Sequence, residues 1–253
     1  MKIFIISEMT LYSQLKELCK KNSFQIEKKL ALKMVPSKYD ITELDSMIYS
    51  ADGLIFQSKN AVNYCKNNHT TIKKRNELDN KEKRITNRLE IYCIGKYSAE
   101  EIKRLVNVNS NYNTKDFSSE GLLEAIKGNC KSGDTFIIIK GIGGRDYIEE
   151  ELIKNNIFVK SYYVYERTIA NFSIHYDDLV TGNNYFLVSS LIALDTIQNK
   201  LEKNTSKKIK VAVVPTERLA AQINNSIFDD YIIINNLSTA RQYIGEIEKY
   251  EKK

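Results

Sequence analysis

Short apolar segments alternate with amphipathic ones along most of the chain, and this alternation predicts the secondary structure. Segments such as 54–57 and 135–140 have the length and the aliphatic, β-branched content of buried strands. Longer segments such as 11–21, with apolar residues three or four positions apart, are typical of helices that bury one face. Because most predicted strands are followed by a predicted helix, we expect an α/β protein with parallel sheets and crossover helices.

The pattern predicts the following elements and the places where the chain changes domain. Strands are predicted at residues 2–7, 24–28, 30–35, 54–57, 91–94, 135–140, 159–165, 185–188, 211–214 and 231–234. Helices are predicted at residues 11–21, 41–49, 61–67, 99–106, 120–126, 147–155, 191–201, 218–223 and 238–250. No helix separates 24–28 from 30–35, and 159–165 continues into 168–174, so we expect the chain to cross between two domains there.

Length and hydropathy bound the class of protein. A chain of 253 residues is long enough for one large α/β domain or two of ordinary size. The apolar run at residues 3–6 is too short for a signal peptide, and no later stretch has the length that a bilayer requires. We therefore expect a cytoplasmic protein that does not contact membranes.

The residues that usually carry metals and cofactors are sparse. The four cysteines are Cys19, Cys65, Cys93 and Cys130. Their spacing contains no C-x-x-C pair, and the chain has only two histidines, so we expect free thiols, no metal site and no histidine-based triad. The glycine-rich stretch 141–146 is neither G-x-G-x-x-G nor a Walker loop. We therefore predict that the protein uses no cofactor.

The charge of the chain favours an anionic partner without choosing among partners. The net charge of +6 attracts polycarboxylates, phosphate esters and nucleic acids alike. The most polar stretch, 69–88, admits two interpretations: a solvated insertion between a helix and a strand, or a patch that binds nucleic acid. Its basic residues are mixed with acids and lack interleaved aromatic residues, which favours the solvated surface.

The junctions between predicted strands and helices are rich in small and hydroxyl residues. They include 57–60, 95–98, 141–145, 188–190 and 215–218. Such junctions present free backbone N–H groups at helix N-termini, beyond the carboxyl ends of strands, where open α/β sheets bind anions. The alternative interpretation is that these Ser, Thr and Asn residues only cap their helices.

One family resembles this chain in register along nearly its whole length. The clearest segment is Ile-Ile-Ile-Lys-Gly-Ile-Gly-Gly-Arg-Asp at 137–146, followed by a predicted helix, a strand and Val-Tyr-Glu-Arg at 164–167. Further matching segments lie at 54–62, 93–99, 118–123 and 213–220, in the same order. These segments resemble the uroporphyrinogen-III synthase family. The chain departs from the family's pattern at Lys140, where Arg is usual, and at Ser7-Glu8-Met9, where the family commonly has Thr-Arg-Pro.

The resemblance implies the fold and the domain arrangement. It implies two flavodoxin-like α/β domains with parallel sheets, joined by a two-stranded β-ladder. The first domain is discontinuous, with residues 1–35 and 167–253, and the second is inserted as residues 36–166. A substrate cleft between the domains is part of this expectation.

The resemblance also implies the reaction. Members of the family are cyclising hydro-lyases of tetrapyrrole (heme) biosynthesis that close hydroxymethylbilane to uroporphyrinogen III with loss of water and inversion of ring D. The partner is thus a small polycarboxylate substrate, and we expect a monomer that binds no nucleic acid. The alternative is a non-catalytic two-domain α/β module that closes around a small anionic ligand.

The resemblance and the junction residues together give the predicted site. Tyr165 matches the family's tyrosine at the domain crossover, and a phenol can donate a hydrogen bond to the departing hydroxyl group, so it is the predicted catalytic residue. The predicted substrate-binding residues, which would hold carboxylates, are Ser58, Lys59, Ser98, Gly143, Gly144, Arg145, Ser189, Ser190 and Thr216.

Overall fold

The computed structural model describes residues 1–9, 11–81, 88–201, 208–235 and 238–252. The chain divides into two compact units. The first unit contains Met1–Lys33 and Thr168–Lys253, and the second contains Met34–Arg167. Both boundaries fall inside strands, so the chain passes from one unit to the other in extended conformation.

Strands and helices alternate through most of the described chain. The strands are β1 (Lys2–Ile5), β2 (Gln25–Lys28), β3 (Leu32–Pro36), β4 (Gly53–Phe56), β5 (Glu90–Cys93), β6 (Thr135–Gly141), β7 (Phe158–Ile169), β8 (Gly182–Leu187), β9 (Lys208–Val214) and β10 (Asp230–Ile233). The helices are α1 (Tyr12–Lys21), α2 (Ile41–Ser50), α3 (Lys59–Tyr64), α4 (His69–Lys81), α5 (Lys96–Val106), α6 (Ser119–Ile126), α7 (Tyr147–Lys154), α8 (Leu191–Gln198), α9 (Glu217–Ala220) and α10 (Ala240–Glu251). Two short 3₁₀ turns lie at Lys66–Asn68 and Tyr176–Asp178.

Each unit is built on a five-stranded sheet. The first sheet has the order β10-β9-β8-β1-β2, and each of its strand pairs is parallel. Counted along the first unit alone, this is the 2-1-3-4-5 order of the flavodoxin-like fold. The second sheet has the order β3-β7-β6-β4-β5, with parallel pairing from β7 through to β5. The predicted α/β fold with two parallel sheets is confirmed.

The strands β3 and β7 form the ladder through which the chain leaves and re-enters the first unit. They are neighbours in the second sheet. The Ser37 N–H donates to the Val164 carbonyl at one end of the ladder, and the Ala170 N–H donates to the Ala31 carbonyl at the other. The expected two-stranded connection is thus present, and both of its strands are continuous across the unit boundary.

The central strands are apolar on both faces because helices cover both sides of each sheet. In β1, Ile3 and Ile5 pack in one buried cluster while Phe4 packs in the other. In β6, Ile137 and Ile139 likewise separate from Ile138. This alternation follows from the period-two direction of strand side chains and explains the continuous apolar runs in the sequence.

Several helices differ from the prediction, and one helix was not predicted. The segment 69–88, predicted as a solvated insertion between a helix and a strand, contains the helix α4 at His69–Lys81, with Ile72 and Arg75 buried; residues 82–87 lie outside the described chain. The helix predicted at 218–223 is the single turn α9, Glu217–Ala220.

One strand extension is also wrong. β7 ends at Ile169, so the strand predicted to continue through residues 168–174 stops after two of them. In the described part of the chain, no helix combines the length and apolar character needed to cross a membrane.

A close approach between β4 and β6 gives a test of the core of the second unit. Gly53 pairs with Phe136, and a Cβ at Gly53 would lie 2.3 Å from Phe136 Cε1. We expect Gly53→Ala to lower the free energy of unfolding by about 1–3 kcal/mol, because the ring must leave its packed position. The measurement is urea denaturation followed by circular dichroism.

Gly245→Ala is the matched control, because Gly245 lies in α10 and nothing stands within 4 Å of the added methyl group. Alanine should stabilise that helix by about 0.5–1 kcal/mol. Equal unfolding midpoints for the two variants would contradict the packing described for β4 and β6.

Candidate active site

The strand orders place a switch point in each unit. In the first sheet, the strands that follow β1 and β8 in sequence lie on opposite sides of this pair, so the strand order reverses between β1 and β8. In the second sheet, the order reverses in the same way between β4 and β6. Open parallel sheets bind ligands beyond the carboxyl ends of the strands at such points. The junctions that follow these four strands are therefore the places where a site is expected.

In the second unit, the junctions after β4 and β6 meet. Gln57, the first residue after β4, donates from Nε2 to the backbone carbonyl of Arg145 over 3.3 Å. Gly144 lies beside the same side chain, since a Cβ added there would come within 3.4 Å of Gln57 Oε1. The fold therefore brings the predicted junctions 57–60 and 141–145 together at the carboxyl edge of the second sheet.

Tyr165, a residue of β7, lies at the same edge of the sheet. The register pairs Tyr165 with Gly141 across a bulge between Lys140 and Gly141. The ring lies across the glycine, because a Cβ on Gly141 would be 2.5 Å from Tyr165 Cζ. The ring of Tyr64 also stacks on the ring of Tyr165, with centroids 5.6 Å apart. Only 6% of Tyr165 is exposed, so its ring is held between neighbours.

The hydroxyl of Tyr165 is hydrogen-bonded to Ser58, with 3.0 Å between the two oxygens. Ser58 is the N-cap of α3, and its Oγ accepts a hydrogen bond from the Ala61 N–H over 3.0 Å. When Ser58 donates to the phenol oxygen, the Tyr165 proton is left available for a bound ligand. Three groups in series then polarise one another, from the helix N–H through the serine to the phenol.

The turn after β6 presents backbone donors at the same edge. The Ile142 N–H donates to the Tyr165 carbonyl, and the Gly144 N–H donates to the Gly141 carbonyl. Gly143 has φ +74°, a conformation that favours glycine. The N–H groups of Gly143 and Arg145 have no acceptor within the described residues. These two N–H groups are therefore available to an anion.

A buried lysine that is not among the predicted site residues fixes this turn. The side chain of Lys140 is fully buried, and its Nζ donates to Asp146 Oδ1 over 2.6 Å and to Glu149 Oε2 over 2.7 Å. Ser161 also donates to Glu149 Oε2. The network connects β6, the N-terminus of α7 and β7. A lysine inside an apolar strand, followed by acids six and nine residues later, was the available signal.

The ion pairs shift the pKa values of their members. Burial acts to lower the pKa of Lys140, but the hydrogen bonds to Asp146 and Glu149 outweigh it, and the pKa lies above its ordinary value. Burial acts to raise the pKa of Glu149, but the hydrogen bonds from Lys140 and Ser161 hold it below its ordinary value. Both groups are charged at neutral pH, which keeps the turn in place.

In the first unit, the junctions after β1 and β8 meet in the same way. The Ser189 N–H donates to Ser7 Oγ over 2.9 Å. Ser190 caps α8, and Thr216 caps the short α9, each by accepting a backbone N–H. A small crevice at this edge is lined by Ser7, Met9, Leu187, Val188, Ser189, Val213, Val214, Pro215 and Tyr243. The three predicted residues Ser189, Ser190 and Thr216 thus lie at the carboxyl edge of their sheet, two of them as caps.

Ser98 does not lie in a junction. Helix α5 begins at Lys96, three residues before the predicted start, because Gly95 with φ +73° turns the chain directly into the helix. Ser98 is consequently in the first turn of α5 and only 3% exposed. Ser98 as a substrate-binding residue stays a prediction, and in this structure its side chain is buried.

The predicted cations are exposed and carry acidic partners. Lys59 Nζ is 3.6 Å from Glu101, and Arg145 is 3.7 Å from Glu120. Glu101 is buried, whereas Arg145 and Glu120 are both exposed, so the Arg145–Glu120 pair contributes little to stability. In the first loop, Glu8 pairs with Lys28 over 2.9 Å, so the acid that replaces the family's usual cation is neutralised locally.

Neither a metal cluster nor a reactive thiol is found in the part of the chain that the structure describes. No group of three His, Cys, Asp or Glu side chains in these residues is arranged to hold a metal ion. The four cysteines are free, and three of them are buried. Burial raises the pKa of Cys19 to about 11 and those of Cys65 and Cys93 to about 12, which keeps these thiols protonated and unreactive.

Comparison with known proteins decides the family. The family model described as uroporphyrinogen-III synthase HemD matches residues 13–214. The chain belongs to the uroporphyrinogen-III synthase family. The predicted activity, that of a cyclising lyase in tetrapyrrole biosynthesis, is confirmed at the level of the family, and its substrate is a small molecule.

Solved structures show the same fold at low identity. A uroporphyrinogen-III synthetase from Helicobacter pylori aligns with TM-score 0.57 and 10% identity, covering 96% of this chain and 97% of its own. A mutant uroporphyrinogen III synthase from Thermus thermophilus aligns with TM-score 0.52 and 9% identity, covering 100% and 99%. A sequence search of curated proteins gave no match. Identity this low means that the two structures support the fold of the family member and no more.

The buried network around Lys140 predicts how stability depends on pH. Because the folded-state pKa of Glu149 is lowered, its contribution is present above its ordinary pKa near 4.5 and is lost as the pH falls through the folded-state value. We expect Glu149→Gln to reduce stability at neutral pH and to flatten the decline between about pH 5 and pH 3. Urea unfolding at a series of pH values measures both effects.

Glu150→Gln is the control, because Glu150 is the next residue of α7 and its side chain is exposed. Its stability curve should run parallel to that of the wild type. Identical curves for the two variants would show that the Lys140 network does not stabilise the turn.

Proposed function

We propose that this chain converts hydroxymethylbilane to uroporphyrinogen III and that Tyr165 assists the departure of the hydroxyl group. The observation that carries the proposal is the Tyr165–Ser58 hydrogen bond of 3.0 Å at the switch point of the second unit. A polar pair at this point of an open sheet is suited to a ligand. The family match favours the enzyme over the alternative of a non-catalytic anion-binding module.

The phenol acts on the bond that breaks first. The terminal hydroxymethyl group loses its C–O bond, the pyrrole nitrogen supplies the electron pair, and an azafulvene cation forms. The departing oxygen takes a proton and leaves as water. Tyr165 donates toward that oxygen, while Ser58 donates to the phenol oxygen and is itself polarised by the Ala61 N–H.

The later steps depend on geometry more than on acid–base strength. The cation is attacked by the substituted carbon of the last ring, giving a spiro intermediate; fragmentation and reclosure then leave that ring inverted, and loss of a proton completes the cycle. The substrate is reactive by itself and can also close directly to the type I isomer. The protein must therefore hold the chain in the conformation for spiro attack and exclude direct closure.

The donors available for this task are weak and numerous. In the described turn after β6, the Gly143 and Arg145 N–H groups are open, with Gly144 between them. Lys59 and the Arg145 guanidinium are exposed cations, 3.6 Å and 3.7 Å from their acidic partners. We assign these groups to substrate carboxylates.

The remaining predicted residues have smaller assigned parts. Ser189, Ser190 and Thr216 supply the edge of the first unit with hydroxyl and N–H groups for carboxylates. Ser98, which is buried, acts on the substrate only through the position of α5. We further propose that the two compact units are the two domains of the family fold, and that the protein is a cytoplasmic monomer that requires neither a cofactor nor nucleic acid.

Conversion of enzymatically generated hydroxymethylbilane tests the proposal. We expect the wild type to give mainly the type III isomer without added cofactor. Tyr165→Phe should lower kcat by about one to two powers of ten, because the phenol proton acts on the bond being broken. Single Ser58→Ala, Ser98→Ala and Ser190→Ala changes should each have a smaller effect, since one hydrogen bond contributes about 0.5–1.5 kcal/mol.

Tyr163→Phe is the matched control. Tyr163 lies two residues earlier in β7 and is 40% exposed, so loss of its hydroxyl should leave kcat unchanged. An unchanged kcat for folded Tyr165→Phe would leave Tyr165 as a packing residue. Wild-type product indistinguishable from the spontaneous type I background would overturn the proposed function itself.

A further inference from the structure

Three large apolar side chains are exposed at the carboxyl edge of the second sheet. The exposed fractions are 74% for Tyr97, 54% for Phe117 and 53% for Ile142. Tyr97 lies in the first turn of α5 after β5, Phe117 directly precedes the N-cap of α6, and Ile142 lies in the turn after β6. Single exposed apolar side chains are ordinary, but a group of them with polar neighbours marks a binding surface.

Contacts hold the three segments in one neighbourhood. A Cβ on Gly95 would touch Phe117 Cβ at 3.4 Å, so Phe117 lies beside the residue that starts α5. The turn that carries Ile142 is joined to the start of α6 by the Arg145–Glu120 pair at 3.7 Å. Since β4 alone separates β5 from β6, the two strand ends are about 10 Å apart.

The surroundings of this patch contain two exposed cations, each beside an acid, and an open backbone donor. Lys96, next to Tyr97, has 59% of its side chain exposed and lies 3.6 Å from Glu100, and Arg145 has 74% exposed. The Gly143 N–H, one residue after Ile142, has no acceptor in the described chain. The surface therefore combines flat apolar groups with a rim that attracts anions. A matching ligand has apolar faces and carboxylates at its edges.

We propose that Tyr97, Phe117 and Ile142 form an apolar platform that contacts the pyrrole faces of the linear tetrapyrrole substrate. The inference rests on the proposed function and extends it, because it assigns the ring faces as well as the carboxylates. Pyrrole rings stack on aromatic side chains, and acetate and propionate groups at the ring edges reach the cationic rim. A platform at the same edge of the sheet as the Tyr165–Ser58 pair also fixes the path of the substrate chain, and with it which carbon of the last ring meets the cation.

The double variant Tyr97→Ser/Phe117→Ser tests the platform with enzymatically generated hydroxymethylbilane. We expect KM to rise about tenfold, with a smaller change in kcat and a larger share of the type I isomer. Both side chains are more than half exposed, so the melting temperature should stay near that of the wild type. The single variant Tyr97→Ser, at the most exposed of the three positions, should show the same direction at lower magnitude.

Phe158→Ser is the matched control. Phe158 is 69% exposed but begins β7, at the opposite edge of the same sheet, so KM and the isomer ratio should not change. An unchanged KM and isomer ratio in the double variant, with an active wild type, would overturn the platform and leave the proposed function standing. An equal change of KM and isomer ratio in the Phe158→Ser control would also overturn the platform. A change of mass in light scattering with unchanged KM would make the patch a self-association surface instead, and an inactive wild type would overturn the proposed function and the platform together.

Discussion

The ring of Tyr165 crosses the backbone of Gly141 at a distance that leaves no room for a Cβ. This contact determines most of the geometry at the edge of the second sheet. It sets the register of β6 and β7 beyond the bulge, it brings the phenol to Ser58 at the start of α3, and it lets the Ile142 N–H bond the Tyr165 carbonyl. The polar groups of β6, β7 and α3 are thereby fixed around the Tyr165 hydroxyl.

The Lys140 network supports that contact from the other side of the strand. Lys140 and Gly141 are adjacent in β6, so their neighbours in space differ: the lysine is held by Asp146 and Glu149, and the glycine by Tyr165. The ion pairs of Lys140 and the packing of Tyr165 on Gly141 together hold the turn after β6, in which the N–H groups of Gly143 and Arg145 remain open. Such a site has modest chemical power and well-defined geometry, which suits a substrate that reacts spontaneously and must be directed to one isomer.

Patterns within short segments of the sequence predicted those features of the fold that depend on neighbouring residues alone. Apolar runs predicted the sheets, because both faces of each sheet are buried, and Ser58 was predicted at its helix start because it caps α3. The mixed charges of 69–81 concealed α4, a helix with little amphipathic character. The buried place of Ser98 depends on the tight turn at Gly95, which spacing in one sequence does not reveal. The Lys140 network left a signal in the spacing of its acids, but whether these side chains meet depends on the fold of the turn between them. The junction glycines Gly95 and Gly141 were visible as residues, but their φ angle and close approach were not.

Turnover of Gly141→Ala tests directly whether the contact between Gly141 and Tyr165 positions the phenol for the reaction. The backbone at Gly141 tolerates alanine, so the substitution acts mainly by pushing the Tyr165 ring from its place and away from Ser58. We expect a folded protein whose kcat for formation of the type III isomer is lower by about tenfold or more, while Gly245→Ala turns over like the wild type. A folded Gly141→Ala protein with wild-type kcat would show that the placement of Tyr165 does not matter to the reaction.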